Sequence, residues 1–420
     1  MKYAVITFGC RVNQADSIGF EEELRAAGAV AAAPEAADLV VVNTCSVTAT
    51  SDQGARQTIR RVARDNPSAR IVVTGCYATR QPGEVRTLPN VVRVVTNDDK
   101  PRLLRLVTPH LTTAERFGDG DGGCGARIEP GVAGRTAFTL RVQTGCAEPC
   151  SYCIIPSTRG APRSVPPAGV LCEVERVAMA GFKEIALTGV HLGSYGRDLS
   201  PRTGLVDLLK ALDTGDLLFR ISSLEPMDCS RDIVDLVASG DTFAPHFHLP
   251  LQHASDRLLT AMRRPYTLGY YAELVDAVRG RLPNASIGSD VIVGFPGETD
   301  QDFERLCDYL PRSPLTHLHV FPYSDRPGTA ASAMAGKVHG AVIRERASRV
   351  REIGRRLSQR FHESQLGTRH RGLTIEDGTL AVTGNYLKVR IPPGQSRNEW
   401  VVVKVTGTAE VMRGELVPSR

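Results

Sequence analysis

Nowhere in the 420-residue chain does an apolar run reach the length of a membrane span. The opening stretch Met1-Lys2-Tyr3-Ala4-Val5-Ile6 stops being apolar at Thr7, too early for a signal-peptide core. A cytoplasmic protein with no membrane association is therefore expected. In that compartment thiols stay reduced, so the ten cysteines are not a disulfide framework. They are metal ligands or ordinary buried residues. A strong charge imbalance is missing too: Lys+Arg 51 against Asp+Glu 46 leaves +5, too little to imply a nucleic-acid partner by itself. No internal repeat is visible beyond an alternation of strand and helix signals. At 42% hydrophobic and 23% charged residues the composition is that of an ordinary globular protein, and the length suggests two or three domains.

Three units are expected, of α/β class overall. Residues 1–112 alternate β-branched runs at 4–8, 38–43 and 70–74 with helical stretches at 16–27 and 51–65. That alternation predicts a parallel sheet with helices on both faces. Residues 113–135 read as a linker, marked by Asp119-Gly120-Asp121-Gly122-Gly123. Residues 136–364 carry six strand signals, at 138–142, 184–188, 219–222, 246–251, 286–293 and 318–321, most followed by helical stretches. Six βα units fit a partial (β/α)6 barrel, open on one side, with its site at the carboxyl ends of the strands. Its last element is a basic helix: Lys337 to Arg371 nets +7, from one Lys and nine Arg against Glu345, Glu352 and Glu363. A solvated helix face is the ordinary explanation of such a run, and a phosphate-tracking surface the sharper one. Residues 365–420 show five short strand signals, at 373–375, 380–382, 386–391, 399–406 and 409–412, punctuated by Gly, Pro and Asn. They predict a small β-barrel of the kind that carries oligonucleotides.

Cys146-Ala147-Glu148-Pro149-Cys150-Ser151-Tyr152-Cys153 follows the first barrel strand. Three thiolates so close together can wrap one face of a zinc or iron–sulfur centre. The next cysteine is Cys172, so the fourth ligand of a structural zinc site is missing. Three ligands on a four-iron cluster leave one iron open. Cys10, Cys45 and Cys76 each end a predicted strand of the first unit, 35 and 31 residues apart. Parallel strands bring their carboxyl ends to one edge, so these three should meet, and shared ligation explains them better than three inert thiols. Cys124, Cys172, Cys229 and Cys307 share no such position and read as structural. His246 with His248, and His317 with His319, alternate on strand faces; barrel packing is the commoner role, and they are not assigned as ligands.

The three-cysteine spacing resembles the radical S-adenosylmethionine superfamily, in which the open iron chelates S-adenosylmethionine and reductive cleavage yields a 5′-deoxyadenosyl radical. Nearly the whole chain resembles its methylthiotransferase family: Gly9-Cys10-Arg11-Val12-Asn13-Gln14, Asn43-Thr44-Cys45, Thr74-Gly75-Cys76 and Cys153-Ile154-Ile155-Pro156-Ser157-Thr158-Arg159-Gly160 match its motifs. The C-terminal barrel resembles the TRAM domain, which implies RNA binding. The resemblance implies two 4Fe–4S clusters: a radical-generating one on Cys146, Cys150 and Cys153, and an auxiliary one on Cys10, Cys45 and Cys76 that carries the sulfur to be inserted. It implies S-adenosylmethionine as cofactor, with Tyr152 and the strand ending at Gly294 against its adenine. Gly189, Glu225 and Gln252, which follow the second, third and fourth strands, are candidate contacts; strand-end turns for the glycines and a helix cap or salt bridge for Glu225 are the ordinary alternatives. A low-potential electron donor such as flavodoxin or ferredoxin follows as well. Thr188 to Gly196 and Leu318 to Ser324 resemble the branch acting on N6-threonylcarbamoyladenosine beside the anticodon of tRNA. Gln252-His253-Ala254-Ser255 resembles instead the branch that modifies an aspartate of a small-subunit ribosomal protein. A non-catalytic iron–sulfur or zinc RNA-binding protein is the alternative from another class.

Overall fold

The computed structural model describes residues 1–107, 130, 136–212, 217–408 and 411–418. Apart from Pro130, the expected linker over 113–135 lies outside the described residues, as does Cys124. The first unit is one parallel sheet of β1 (Lys2–Thr7), β2 (Val30–Ala31), β3 (Leu39–Thr44), β4 (Arg70–Gly75) and β5 (Val91–Val95), in the order β2-β1-β3-β4-β5. Helices α1 (Arg11–Ala26) and α2 (Ala49–Asp65) cover its two faces, with α3 (Cys76–Arg80), α4 (Pro82–Arg86) and α5 (Leu103–Val107) completing the unit. Val40 and Val42 of β3 pack with Ile59 and Val62 of α2, whereas Leu39 and Val41 pack with Phe20 and Leu24 of α1. A strand buried on both faces has no polar alternation, which is why β3 reads as a continuous apolar run. The sheet has two edge strands beyond the three expected, and only the second has a sequence signal, the run Val91-Val92-Arg93-Val94-Val95. β2 is two residues long and exposed, and β5 is only partly buried.

The central unit opens with β6 (Phe138–Arg141). A ribbon of β7 (Gln143–Thr144), α6 (Ile155–Arg159) and β8 (Arg163–Ser164) brackets the cysteine loop. Then come α7 (Pro167–Met179), β9 (Glu184–Thr188), α8 (Leu205–Ala211), β10 (Leu218–Ile221), α9 (Arg231–Ala238), β11 (His246–His248), α10 (Asp256–Ala261) and α11 (Leu268–Arg281). The unit ends with β12 (Ser286–Val293), α12 (Asp300–Arg312), β13 (His317–Pro322) and the long α13 (Gly340–Ser364). Strands β6, β9 and β10 form one parallel sheet, and β11, β12 and β13 another. A single bridge between Phe219 and Phe243 joins them into the expected open barrel. Leu140, Ile185, Phe219, Phe247, Ile287 and Val291 face the helices in the largest apolar core. The alternate residues face the lumen and are polar: Arg141, Glu184, Arg220, His246, His248, Asp290, His317 and His319.

The last unit is a closed barrel of β14 (Arg369–Ile375), β15 (Leu380–Thr383), β16 (Lys388–Arg390), β17 (Trp400–Gly407) and β18 (Met412–Val417). Two expectations shift here. The fifth strand runs from Met412 rather than over 409–412, because its partners are Val402 to Val405 of β17. The third is shorter than 386–391, because Tyr386 belongs to a turn and adopts φ 64°. That turn reaches into the central barrel. Arg220 lies over the Tyr386 ring at 3.8 Å from its centroid, and His246 meets the same ring edge-on at 4.4 Å. Arg11 donates to the Tyr386 hydroxyl. Gly384 passes so close that a Cβ there would lie 2.9 Å from Pro245 Cδ. Arg220 also pairs with Glu184 at 2.7 Å and donates to Thr383 O at 2.8 Å and Gly384 O at 2.5 Å. Replacing Arg220 with Ala strands a buried carboxylate, with an expected loss of about 3–5 kcal/mol. A lowered urea midpoint would report it.

Candidate active site

The two cysteine triads are built by different local rules. The register pairs Thr7 with Asn43, Asn43 with Thr74 and Thr44 with Gly75, so β1, β3 and β4 end level with one another. Cys10, Cys45 and Cys76 follow directly and meet at that edge. A Cβ at Gly9 would lie 2.6 Å from Cys45 Cβ and 2.7 Å from its Sγ, so only glycine lets the first loop cross the second thiol. Burial pushes the Cys45 thiol up to about 11, with the Cys10 and Cys76 sulfurs adding to the rise. Burial would raise Cys76 too, but Arg159 and Lys100 outweigh it and hold that thiol below its ordinary value. Asn97 Nδ2 lies 3.7 Å from Cys76 Sγ and donates to Thr158 O at 2.7 Å, tying this edge to the barrel. From the far side, Arg326 donates to Ser46 O at 2.7 Å and pairs with Asp52 at 2.6 Å, fixing the loop after Cys45.

Cys146, Cys150 and Cys153 lie on the loop after β7, folded back on Gly160 by the Cys146 N–H bond to its carbonyl at 3.0 Å. Gly145 has φ 76°, and a Cβ there would run into the Ala161 carbonyl and lie 2.9 Å from Gly160 O. Burial pushes the Cys153 thiol up to about 12, and the two neighbouring cysteine sulfurs contribute. Among the described residues neither triad has all its sulfurs within 4.8 Å of one another. Tetrahedral zinc, with bonds of ~2.3 Å to sulfur, requires a tighter set. An all-thiol set with wider separation fits the face of an iron–sulfur cube.

Around the second triad, Arg264 donates to Cys150 Sγ at 3.1 Å and pairs with Glu225, so Glu225 reaches the site through that arginine. Tyr152 packs with Leu258, Met262, Ile292 and Phe295. Gly189 sits against Gln143, where a Cβ would lie 3.1 Å from the Gln143 Cβ. Gln252, at φ 67°, bridges β12 through bonds of 2.9 Å from its N–H to Asp290 O and from Ile292 N–H to its own carbonyl. Gly294, at φ 79°, is turned toward Ile343 of α13, and its N–H is taken by Glu298 at 2.5 Å. The structure thus gathers Tyr152, Gly189 and Glu225 around the triad, sets Gln252 on the adjoining strand edge and leaves Gly294 under α13.

Three participants were not legible beforehand. Gln143 donates to Thr144 O, Gly145 O and Ser194 Oγ, and accepts from Val190 N and His191 N, both at 2.9 Å. His191 bonds Asp228 at 2.8 Å; burial would lower its pKa, but Asp228 and the Cys146 sulfur hold it up to about 9. Arg264 is the third. Gln143 and His191 had the advance signal of following predicted strands, and His191 lies within the Thr188 to Gly196 motif, whereas Arg264, beyond helix α10, had none.

Two families match. Residues 2–97 fit Uncharacterized protein family UPF0004, and residues 140–310 fit the Radical SAM superfamily. Threonylcarbamoyladenosine tRNA methylthiotransferase MtaB of Aquifex aeolicus (strain VF5) is 38% identical over 408 residues, 93% of this chain and 96% of that one. The chain belongs to the radical S-adenosylmethionine methylthiotransferase family. Membership brings a 4Fe–4S cluster and S-adenosylmethionine with it. Another relative, the tRNA-2-methylthio-N(6)-dimethylallyladenosine synthase of Carboxydothermus hydrogenoformans, is 30% identical over 94% of this chain and 97% of its own. The radical S-adenosylmethionine methyltransferase TsrM from Kitasatospora setae shares the fold at 15% identity. Its TM-score is 0.56, over 79% of this chain and 74% of that one.

For this methylthiotransferase, Gln143→Leu keeps the volume but leaves two buried amides and two carbonyls without partners, each worth about 1–3 kcal/mol. A lower melting temperature and less iron per chain are expected, read by differential scanning fluorimetry and an iron assay.

Proposed function

We propose that this enzyme inserts a methylthio group at C2 of N6-threonylcarbamoyladenosine beside the anticodon of tRNA. The observation that carries the chemistry is the pair of all-cysteine triads, one at each end of a shared buried network. Cys146, Cys150 and Cys153 would hold the radical-generating cluster, and Cys10, Cys45 and Cys76 the auxiliary one. When bound, these cofactors supply the hydrogen abstraction at C2 and the methylthio group that replaces the hydrogen. The protein's own part is positional. Arg264 and Glu225 orient the Cys150 side of the triad, and Tyr152 closes the apolar wall beside it. Gln143 and Gly189 shape the adjoining turn for S-adenosylmethionine, while Gln252 marks its rim and Gly294 supports the strand end from beneath α13. Arg159 and Lys100 set the charge beside Cys76. Electrons would come from a low-potential carrier of the flavodoxin or ferredoxin kind.

The tRNA substrate rests on the relatives named MtaB, among them that of Thermotoga maritima, 32% identical over 96% of this chain. A groove of about 810 Å³ along α13, lined by Arg351, Arg355 and His362 but also by Glu363, offers two guanidinium groups to a phosphate backbone. The electrostatic share of α13 is smaller than its composition suggests. Arg346 pairs with Glu298 and Asp300, Arg349 with Glu304, and Arg360 donates to Pro311 O and Ser313 O.

Mass spectrometry of tRNA nucleosides from cells with and without the protein tests the substrate. Loss of only the methylthio form of N6-threonylcarbamoyladenosine is expected. Loss of methylthio-isopentenyladenosine instead would move the enzyme to the neighbouring branch, and unchanged tRNA would point to the ribosomal protein. Within the enzyme, Cys150→Ala is expected to abolish 5′-deoxyadenosine formation. Cys45→Ala should retain cofactor cleavage but yield no thiomethylated product. Product from either variant at the unaltered yield would refute the assignment.

A further inference from the structure

The lumen wall opposite the cysteine loop holds five ionisable side chains that neither triad uses: His246, His248, Asp290, His317 and His319. They arise from three neighbouring parallel strands. Asp290 of β12 is the register partner of His319 on β13, while His248 of β11 pairs with Gly288, two residues before Asp290. All three side chains therefore point to the same face. His248 Nε2 lies 3.0 Å from Asp290 Oδ1, and His319 Nδ1 lies 3.1 Å from the same oxygen. The three ligand atoms fall within 4.8 Å of one another, and no other group of histidine, cysteine or carboxylate side chains among the described residues does so.

We propose that His248, Asp290 and His319 form a binding site for a divalent transition cation of the zinc class, with its remaining positions open to the lumen. Two imidazoles and one carboxylate are a donor set such cations favour. The surroundings are those of a ligand site rather than of packed histidines. His248 Nδ1 is 2.7 Å from Ser223 Oγ, a bond that fixes which nitrogen faces Asp290. His248 Nε2 is buried and has no well-aligned hydrogen-bond partner, although Asp290 Oδ1 is only 3.0 Å away. Gly288 makes room for the neighbouring His317 ring, since a Cβ there would lie 2.9 Å from His317 Cδ2 and closer still to its Cε1 and Nε2. The side chains of Asp290 and His319 remain 24% and 57% exposed, which leaves the open side of the site facing the lumen. If the proposed substrate is right, its threonyl carboxylate would meet Asp290 with repulsion, and a cation at the triad reverses that sign.

The test is metal content, which depends on no substrate. The full-length, anaerobically reconstituted enzyme is dialysed against buffered zinc and its zinc, iron and sulfide are measured. One zinc per chain beyond the iron is expected. That zinc should disappear from His319→Ala and from Asp290→Asn, with iron and sulfide unchanged. His319 is half exposed, so its variant should fold, and circular dichroism checks this. X-ray absorption at the zinc edge should show only nitrogen and oxygen neighbours. Zinc that persists in both variants, sulfur at the zinc edge, or no zinc in the unaltered enzyme would each overturn the site.

Discussion

Asp16 sits on α1 with its side chain 3% exposed and gathers three cations from different parts of the chain. Lys100 is 2.7 Å away, Arg141 of β6 2.6 Å and Arg159 of α6 3.4 Å. Burial alone would raise such a carboxyl, yet the three cations outweigh it and hold it well below the usual carboxylate range. The same Arg159 reaches the Cys76 thiol, bonds Asn13 Oδ1 at 2.5 Å and donates to Thr144 Oγ1 at 3.3 Å, two residues before Cys146. One carboxylate thus sets the first sheet's cysteine edge against the cysteine loop of the barrel. Without it, two arginines and a lysine would face each other in a space with little water, and the two sites would rely on the Asn97 and Arg326 bonds at their flanks.

What could be read from the chain was whatever repeats locally. The six barrel strands, the sheet carrying three strand-end cysteines and the small terminal barrel all announce themselves by alternation and turn residues. The cysteine edge was legible because parallel register turns equal positions in separate βα units into neighbours. Side-chain partnerships across the fold were not legible. Nothing around Gln143 signals that it will serve five groups, and nothing local links Arg326 to Ser46, 280 residues away. Strand β2 escaped notice because two residues carry no pattern, whereas β5 was legible in its run Val91-Val92-Arg93-Val94-Val95 and was overlooked. Gly294 illustrates the same limit: its motif is visible, but the packing of Ile343 against it is decided by α13.

The basic helix shows how composition overstates an electrostatic surface. Arg346 is 6% exposed and spent on Glu298, while Arg355 and Arg356 are about three-quarters exposed and share Glu352. A charge run is therefore a sum of two populations, one bracing the helix against α12 and one facing solvent. Only the second can meet phosphate. The groove beside Arg351 and Arg355 lies on that side.

Tyr386 has a consequence for the order of synthesis. Its ring forms the base of the lumen between Arg220 and His246, yet it belongs to the last unit of the chain. A ribosome delivers all six barrel strands before the residue that closes their floor. Until then Arg220 has its pair with Glu184 but neither the Tyr386 ring nor the Thr383 and Gly384 carbonyls. The base of the open barrel is therefore supplied last, by the unit that also ends the chain.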